Sequence, residues 1–426
     1  MERLRTTAAG GRQQPGVVRS GRLSSANKRS ILLYSHDTYG LGHFRRNSAI
    51  AHAVRLQDRA VRLVMLTGSA LAGDWHLPEA AELVRMPSVI KVGAEDYRPV
   101  TSRSMSGLRA ERAGIIFSTL LNLRPDVFLV DHAPLGMKGE LRRSLEMARN
   151  HLPGTRVVLG LRDILDDPDT VRRTWTEQGV YSVLESLYDE VLVYGCRDLF
   201  DVTEQYAFPE EVRRRTIFTG YVAKDYSLEP QSSGRVPWTK ARSGRERRIL
   251  VMGGGGGDAA ELFRAFIDVW PQMAQPGREK GLLVTGPMMP GADRAELSSL
   301  AAHAGLELIR SSTSMLSLIA AADVVVSMGG YNSVVESLSA RRPLVIFPRT
   351  APRQEQLIRA RMLERLGLAS VVLPGPAASG QLRRAVLKAL DGPLPGIDVG
   401  RRIELGGGER AAQLLLASCR SQAMAG

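Results

Sequence analysis

From Ile31 the chain alternates short, continuous apolar runs with amphipathic stretches of helix length; "ILLYSH", "RLVMLTG", "VFLVDH", "RVVLGLRD" and "EVLVYG" are the runs. A strand covered on both faces needs an unbroken apolar run, whereas a half-exposed strand needs an alternating one. The pattern therefore predicts parallel strands with crossover helices, an α/β domain over residues 30–220. Over residues 221–248, "YVAKDYSLEPQSSGRVPWTKARSGRERR", the pattern lapses into Ser, Gly, Pro and basic residues and reads as a linker. It restarts at "ILVMGGGGG" and continues through "GLLVTGPM", "LELIRS", "ADVVVSMGG", "PLVIFPR" and "SVVLPG", with helices expected at 259–270 and 354–366. That predicts a second α/β domain over 249–426. Two such Rossmann-like domains face each other across a cleft, and ligands of open α/β sheets bind at the carboxyl ends of the strands.

Composition narrows the partner. The chain has 426 residues, 44% hydrophobic and 24% charged, enough apolar mass for two cores. An excess of 13 positive charges suits an anionic partner: a phosphorylated small molecule, a membrane surface or a nucleic acid. The basic residues are dispersed, aromatics are 5%, and no nucleic-acid-binding motif is present, so nucleic acid is set aside. Cys196 and Cys419 are far apart and read as reduced thiols. Residues 1–29, rich in Arg, Gly and Ser, lack the apolar core of a secretory signal and are expected to form a disordered basic tail that an anionic membrane could attract. No run of about twenty apolar residues occurs. The expectation is a cytoplasmic protein, peripheral to the inner face of the plasma membrane.

Two glycine sites carry candidate chemistry. "MGGGGGDAAELF" places Gly253 to Gly257 between a strand and a helix, where backbone N–H groups and a helix N-terminus favour phosphate. Gly254, Gly256 and Ala259 also fit a dinucleotide fingerprint, but a run of glycines fits almost any glycine pattern, and the next strand, "GLLVTG", lacks the acid that would hold a ribose. The second site follows "ADVVVSMGG": Gly329 and Gly330, then Asn332, Ser333 and Glu336 on a helix expected to start near Ser333. Ser333 and Glu336 have capping-box spacing. The alternative is that Glu336 accepts two hydrogen bonds from a sugar diol. Arg353, Gln354 and Gln356 open a later helix, where amides could read sugar hydroxyls.

The ordered series from Gly329 to Gly367, with a Pro-containing strand end at Pro348, the glutamines and a Leu-x-x-x-Gly close, resembles the donor-binding signature of GT-B glycosyltransferases of the MurG-like class. The resemblance implies Glu336 on the nucleotide ribose, Gln354 and Gln356 on the donor sugar, and the turn holding Gly254, Gly255 and Gly256 beside the diphosphate. It implies a UDP-sugar donor and no cofactor or metal.

A donor held there faces the loop after the first strand, "GLGHFRRN". Gly40 and Gly42 let that loop bend, and His43 can take a proton from an attacking hydroxyl, which would invert the anomeric centre. Asp131 is the second candidate catalytic residue; His36 and Asp37 are rivals for the base, and His132 and Asp163 also end strands at the cleft edge. Arg45 and Arg46 either meet an anionic acceptor or form a solvated basic face. The Gly-x-Gly-His-x-x-Arg pattern resembles the PseG-like nucleotide-sugar hydrolases, which activate water. The expected activity is an inverting, metal-independent transfer from a nucleotide-sugar to a lipid-linked or polysaccharide-precursor hydroxyl, with hydrolysis as the alternative. "DDPD" at 166–169 has metal-binding Asp-x-Asp spacing but reads as a helix cap. The apolar run "GIIFSTLLNL" at 114–123 reads as a core helix rather than a membrane contact.

Overall fold

The computed structural model describes residues 29–36, 42–69, 72, 77–91, 97–99, 104–223, 238, 246–275, 277–392 and 402–423. The expected tail (1–29) therefore lies outside them apart from Arg29, as do Asp37 and Gly40 and most of the expected linker.

The strands in chain order are β1 (Ser30–Tyr34), β2 (Arg62–Thr67), β3 (Glu82–Arg85), β4 (Val89–Lys91), β5 (Tyr97–Pro99), β6 (Val127–Asp131), β7 (Arg156–Arg162), β8 (Glu190–Tyr194), β9 (Thr216–Phe218), β10 (Arg247–Met252), β11 (Glu279–Val284), β12 (Glu307–Ile309), β13 (Val324–Ser327), β14 (Leu344–Ile346) and β15 (Ser370–Val371). One sheet runs β3-β2-β1-β6-β7-β8-β9 and the other β12-β11-β10-β13-β14-β15. Every pairing in both is parallel. All eleven apolar runs become strands of these sheets, and β1, β6 and β13 are buried along their whole length, as unbroken apolar runs require. The short β3 and β9 and the antiparallel pair β4–β5 were not anticipated, because runs so brief and partly polar carry no periodicity signal.

In each sheet the strand order reverses beside its first strand: β1 lies between β2 and β6, and β10 between β11 and β13. Such reversals open a crevice at the carboxyl ends, because successive helices turn away on opposite faces. The helix Gly42–Gln57 follows β1, and Asp131 ends β6. The glycine turn follows β10, and Gly329 follows β13. The run at 114–123 lies in the helix Met105–Leu123, which buries Ile116 and Leu120 on one face, in keeping with a core helix. Among the described residues no helix is long and apolar enough to cross a membrane.

The expected second domain, 249–426, includes a last helix that lies against the first half. The last helix, Gly407–Ala423, packs on Gly42–Gln57, and Cys419 joins a core that includes Ile31 and Leu129 of the first sheet. Its apolar stripe covers the first half, whose helix Gly42–Gln57 would otherwise expose its own. The two chain segments that pass between the halves also lie against each other: Tyr221 N–H donates to the Glu404 carbonyl at 2.7 Å, and Gly407 N–H to the Tyr221 carbonyl at 3.0 Å. A β-carbon on Gly407 would fall 2.2 Å from the Gly220 carbonyl oxygen, so this approach requires glycine.

Candidate functional site

His43 is the second residue of the helix Gly42–Gln57 rather than part of the preceding loop, because the helix already begins at Gly42. The first turn holds the imidazole against β6, where its Nδ1 meets Asp131 Oδ2 at 2.6 Å. Asp131 is fully buried. Its other oxygen accepts from Arg46 Nε at 3.1 Å and from Arg46 Nη2. Arg46 is therefore buried and paired, which overturns the solvated-face reading for that residue. One helical turn separates His43 from Arg46, so both project toward the same carboxylate.

The electrostatics favour a neutral imidazole. Burial lowers the His43 pKa to about 4, Asp131 offsets only part of this, and Arg46 and Arg162 add to the fall. Burial opposes ionisation of Asp131, but Arg46 and His43 together hold it down to about 2. With Nδ1–H donated to an ionised carboxylate, Nε2 is the basic nitrogen. The arrangement is a neutral imidazole oriented by a buried, ionised carboxylate. His132 packs against it, ring centroids 4.7 Å apart, with His36 at 5.7 Å from both. His132 has a left-handed backbone, φ 68°, uncommon for a side chain of this size. The rings of His36 and His132 thus flank His43, whose own ring is oriented by the Asp131 carboxylate.

On the opposite wall the helix Tyr331–Ser339 starts two residues earlier than expected, with Gly330 as its N-cap. Ser333 is therefore inside the helix, where its carbonyl accepts from Ser337 Oγ at 2.7 Å, and the capping-box reading fails. Glu336 is buried and bonded instead to Arg45 from the first half. Asn332 Nδ2 donates to the Gly42 carbonyl at 3.3 Å, joining the two candidate helix starts directly. Arg45, Arg46, Ala49, Val222, Asn332 and Glu336 line a small polar pocket between the halves.

The other expected site residues lie in turns and helix starts of the second half. In the glycine turn, a β-carbon on Gly256 (φ 93°) would fall 2.2 Å from the Thr285 carbonyl oxygen, so that glycine is demanded by packing whether or not a ligand is present. Gly254 (φ 60°) faces open space, and a β-carbon on Gly255 would meet Met288. Gly329 (φ 79°) gives its carbonyl to Arg359 at 2.9 Å. Gln354 is the N-cap of the helix Glu355–Arg365, and its N–H donates to Asp166 Oδ1 at 2.8 Å, while Arg353 faces the same carboxylate at 4.0 Å. Gln356 Oε1 accepts from the Arg349 N–H at 2.9 Å. Arg349 also binds Asp258, which follows the glycine turn, at 2.8 Å. The "DDPD" segment is a cap: Asp167 accepts from the N–H groups of Asp169 and Thr170 at the start of Pro168–Glu177. Among the described residues no group of three His, Cys, Asp or Glu is placed to hold a metal ion.

The halves are tied by groups that sequence reasoning passed over. The Arg359 guanidinium forks onto Asp163 with bonds of 2.8 and 2.7 Å. Tyr331 Oη donates to the Tyr194 carbonyl at 3.0 Å and accepts from the Val222 N–H at 2.9 Å. The one available signal was Asp163 at a strand end; nothing in the sequence marks Arg359, one basic residue among several on its helix.

Comparison with known proteins bears on the fold and on the second half. Residues 248–395 match the family model described as Glycosyltransferase family 28 C-terminal domain. Two UDP-N-acetylglucosamine--N-acetylmuramyl-(pentapeptide) pyrophosphoryl-undecaprenol N-acetylglucosamine transferases are similar in part. That of Geobacillus kaustophilus is 37% identical over 71 residues, 16% of this chain and 20% of the relative. That of Sorangium cellulosum is 30% identical over 152 residues, 34% of this chain and 36% of the relative. The chain thus spans well under half the length of the curated relatives it matches. Solved structures match over nearly the whole chain. Acinetobacter baumannii MurG has a TM-score of 0.51 at 14% identity, covering 92% of this chain and 99% of that one. A putative UDP-N-acetylglucosamine 2-epimerase from Listeria monocytogenes has a TM-score of 0.61 at 12% identity, covering 93% and 97%. At such identities the likeness shows the fold alone, and the second of these proteins is named for a different reaction. The chain therefore has the two-domain GT-B fold, and its second half carries a domain similar to the C-terminal domain of glycosyltransferase family 28.

Proposed function

We propose that the protein transfers a hexosyl or hexosaminyl group from a nucleotide-sugar, a UDP-sugar, to a hydroxyl of a lipid-linked or polysaccharide-precursor acceptor. The observation that carries this reading is the 2.6 Å bond from His43 to buried Asp131 at the mouth of the crevice, facing a family 28-like domain. The acceptor hydroxyl gives its proton to His43 Nε2, and its oxygen forms a bond to the anomeric carbon. The bond from that carbon to the diphosphate breaks on the opposite side, so the centre inverts. Asp131 keeps the imidazole in the right tautomer and stabilises the imidazolium that forms.

The donor lies along the second half. Glu336 takes the ribose diol in place of Arg45, and the turn holding Gly254 and Gly255, ahead of the helix Ala260–Met273, receives the diphosphate. Gln354 and Gln356 lie by the donor sugar. Charge on the leaving group is met by this helix start and by Arg349 and Arg353, so the chemistry does not call for a metal. The Asp-x-Asp segment is already committed, Asp167 to a helix cap and Asp166 to Gln354. A lipid-linked acceptor would bring the protein to the cytoplasmic face of the membrane as a peripheral enzyme, with its excess positive charge facing anionic lipid.

The same dyad could activate water, as the Gly-x-Gly-His pattern suggests, and one experiment separates the two. Purified protein is incubated with sugar-labelled nucleotide-sugars with and without membrane extract. Label moving into glycolipid or polymer only with extract supports transfer; free sugar released equally without extract replaces it with hydrolysis.

A further inference from the structure

Among the described residues, the arginines around the crevice that bear on the site, Arg162 apart, each meet at least one carboxylate, Arg45 meeting Glu336 and Arg349 meeting both Asp258 and Glu355. Arg46 pairs with Asp131, Arg359 with Asp163 and Arg353 with Asp166. Arg162, the last residue of β7, has no carboxylate within ion-pair distance among the described residues. Its one hydrogen-bond contact is His132 Nε2, at 3.5 Å. Arg162 Nε and His132 Nδ1 are both buried without a partner. A half-buried guanidinium left uncompensated is costly, and so is each unsatisfied nitrogen. The unmatched charge thus falls beside the residue whose backbone is held in the left-handed region, and strain of this kind collects at ligand sites.

We propose that Arg162 and His132 form an anion subsite on the first-half wall of the crevice, which takes a phosphoryl group of the acceptor while the donor diphosphate occupies the second half. His132 stacks 4.7 Å from His43, so an anion held there lies within a few bonds of the hydroxyl that His43 deprotonates. A guanidinium donates two parallel hydrogen bonds to a phosphoryl group, and a neutral imidazole adds a third. The charges that act on Arg162 are mostly positive. Burial, followed by Arg46, lowers Arg162 to about 10; Glu355 offsets part of this, and Arg359 and Arg353 add to it. Burial and Arg162 also keep His132 well below its usual range, so it stays neutral. The transferase reading enters only in assigning the anion to the acceptor.

The test is calorimetric titration of inorganic pyrophosphate into the full-length protein saturated with UDP, comparing wild type with Arg162→Gln, Arg162→Lys and His132→Ala. The expected result is pyrophosphate binding on top of UDP, weakened tenfold or more by Arg162→Gln, less by Arg162→Lys, with UDP affinity within twofold throughout. The proposal is overturned if wild type binds no pyrophosphate, if the variants bind it equally, or if pyrophosphate and UDP exclude each other, since the anion is then the donor's. Should Arg162→Gln fail to fold, the other two variants carry the comparison. Failure of wild type to bind UDP would instead sink the donor assignment, and the pyrophosphate series would still judge the subsite.

Discussion

Asp163 and Arg359 stand 196 residues apart in the chain, yet their side chains meet in two hydrogen bonds buried between the halves. Both carboxylate oxygens of Asp163 are engaged twice, since Oδ1 also accepts from the Ile164 N–H at 2.8 Å and Oδ2 from Tyr221 Oη at 3.2 Å. Removing one partner leaves the other as a lone buried charge, at a cost of about 3–5 kcal/mol. Asp163→Ala is therefore expected to lower the thermal unfolding midpoint sharply, and Asp163→Ala with Arg359→Met to recover part of the loss. Unfolding curves of the two single variants and the double would show it; simple additivity would mean that the pair is not coupled.

His43→Ala removes the proposed base and leaves the second half untouched. Turnover should fall about 10²–10⁴-fold, the usual worth of a positioned general base, with UDP affinity unchanged. Single-turnover rates beside equilibrium UDP binding make the comparison. Turnover that survives the change would return the assignment to His36 or His132.

The acidic limb of kcat/KM should lie near pH 4 rather than at the ordinary histidine value of 6.5. The sign follows from the direction of the shift: neutral His43 is the active form, its pKa is depressed, and activity is lost only as pH falls through the lowered value. Asp131→Asn removes the one neighbour that raises His43, so the limb should move lower still while turnover drops. A limb that stayed at 6.5 in wild type would mean that a different group is titrating.

Glu336→Ala should weaken UDP binding about tenfold or more, roughly 1.4 kcal/mol for each factor of ten. Arg45→Ala, which removes the Arg45 bond to Glu336, should leave UDP binding equal or stronger. Equilibrium binding of UDP to both variants tests the ribose assignment, and unchanged affinity in Glu336→Ala would remove it.

The two-sheet architecture was legible because unbroken runs such as "ILLYSH" and "ADVVVSMGG" fit only doubly covered strands, and because the turns after β1 and β10 are marked by glycine. The position of His43 at a strand-to-helix junction was legible for the same reason. Its partner was not: Asp131 lies 88 residues away, and adjacency of β1 and β6 follows from strand order, which local patterning does not specify. Arg46 was misread because an arginine pair on a helix carries no sign of which member faces a buried carboxylate. Ser333 and Glu336 have the spacing of a cap, but the helix begins at Gly330, whose extended backbone ends the preceding loop first. Arg359 was invisible, since burial of a charge depends on the other half of the molecule.

The two segments joining the halves, around Tyr221 and around Glu404 to Gly407, are bonded side by side, and Val222 and Gly406 form an antiparallel bridge. A single flexible tether would let the halves rotate and separate in any direction. A stitched pair adds backbone bonds to the side-chain tie of Asp163 and Arg359, so that the facing of His43 and Glu336 is held at a second, distant place. The register of the two half-sites is thereby encoded far from either of them, in a few backbone bonds and in Gly407, where a side chain would prise the two segments apart.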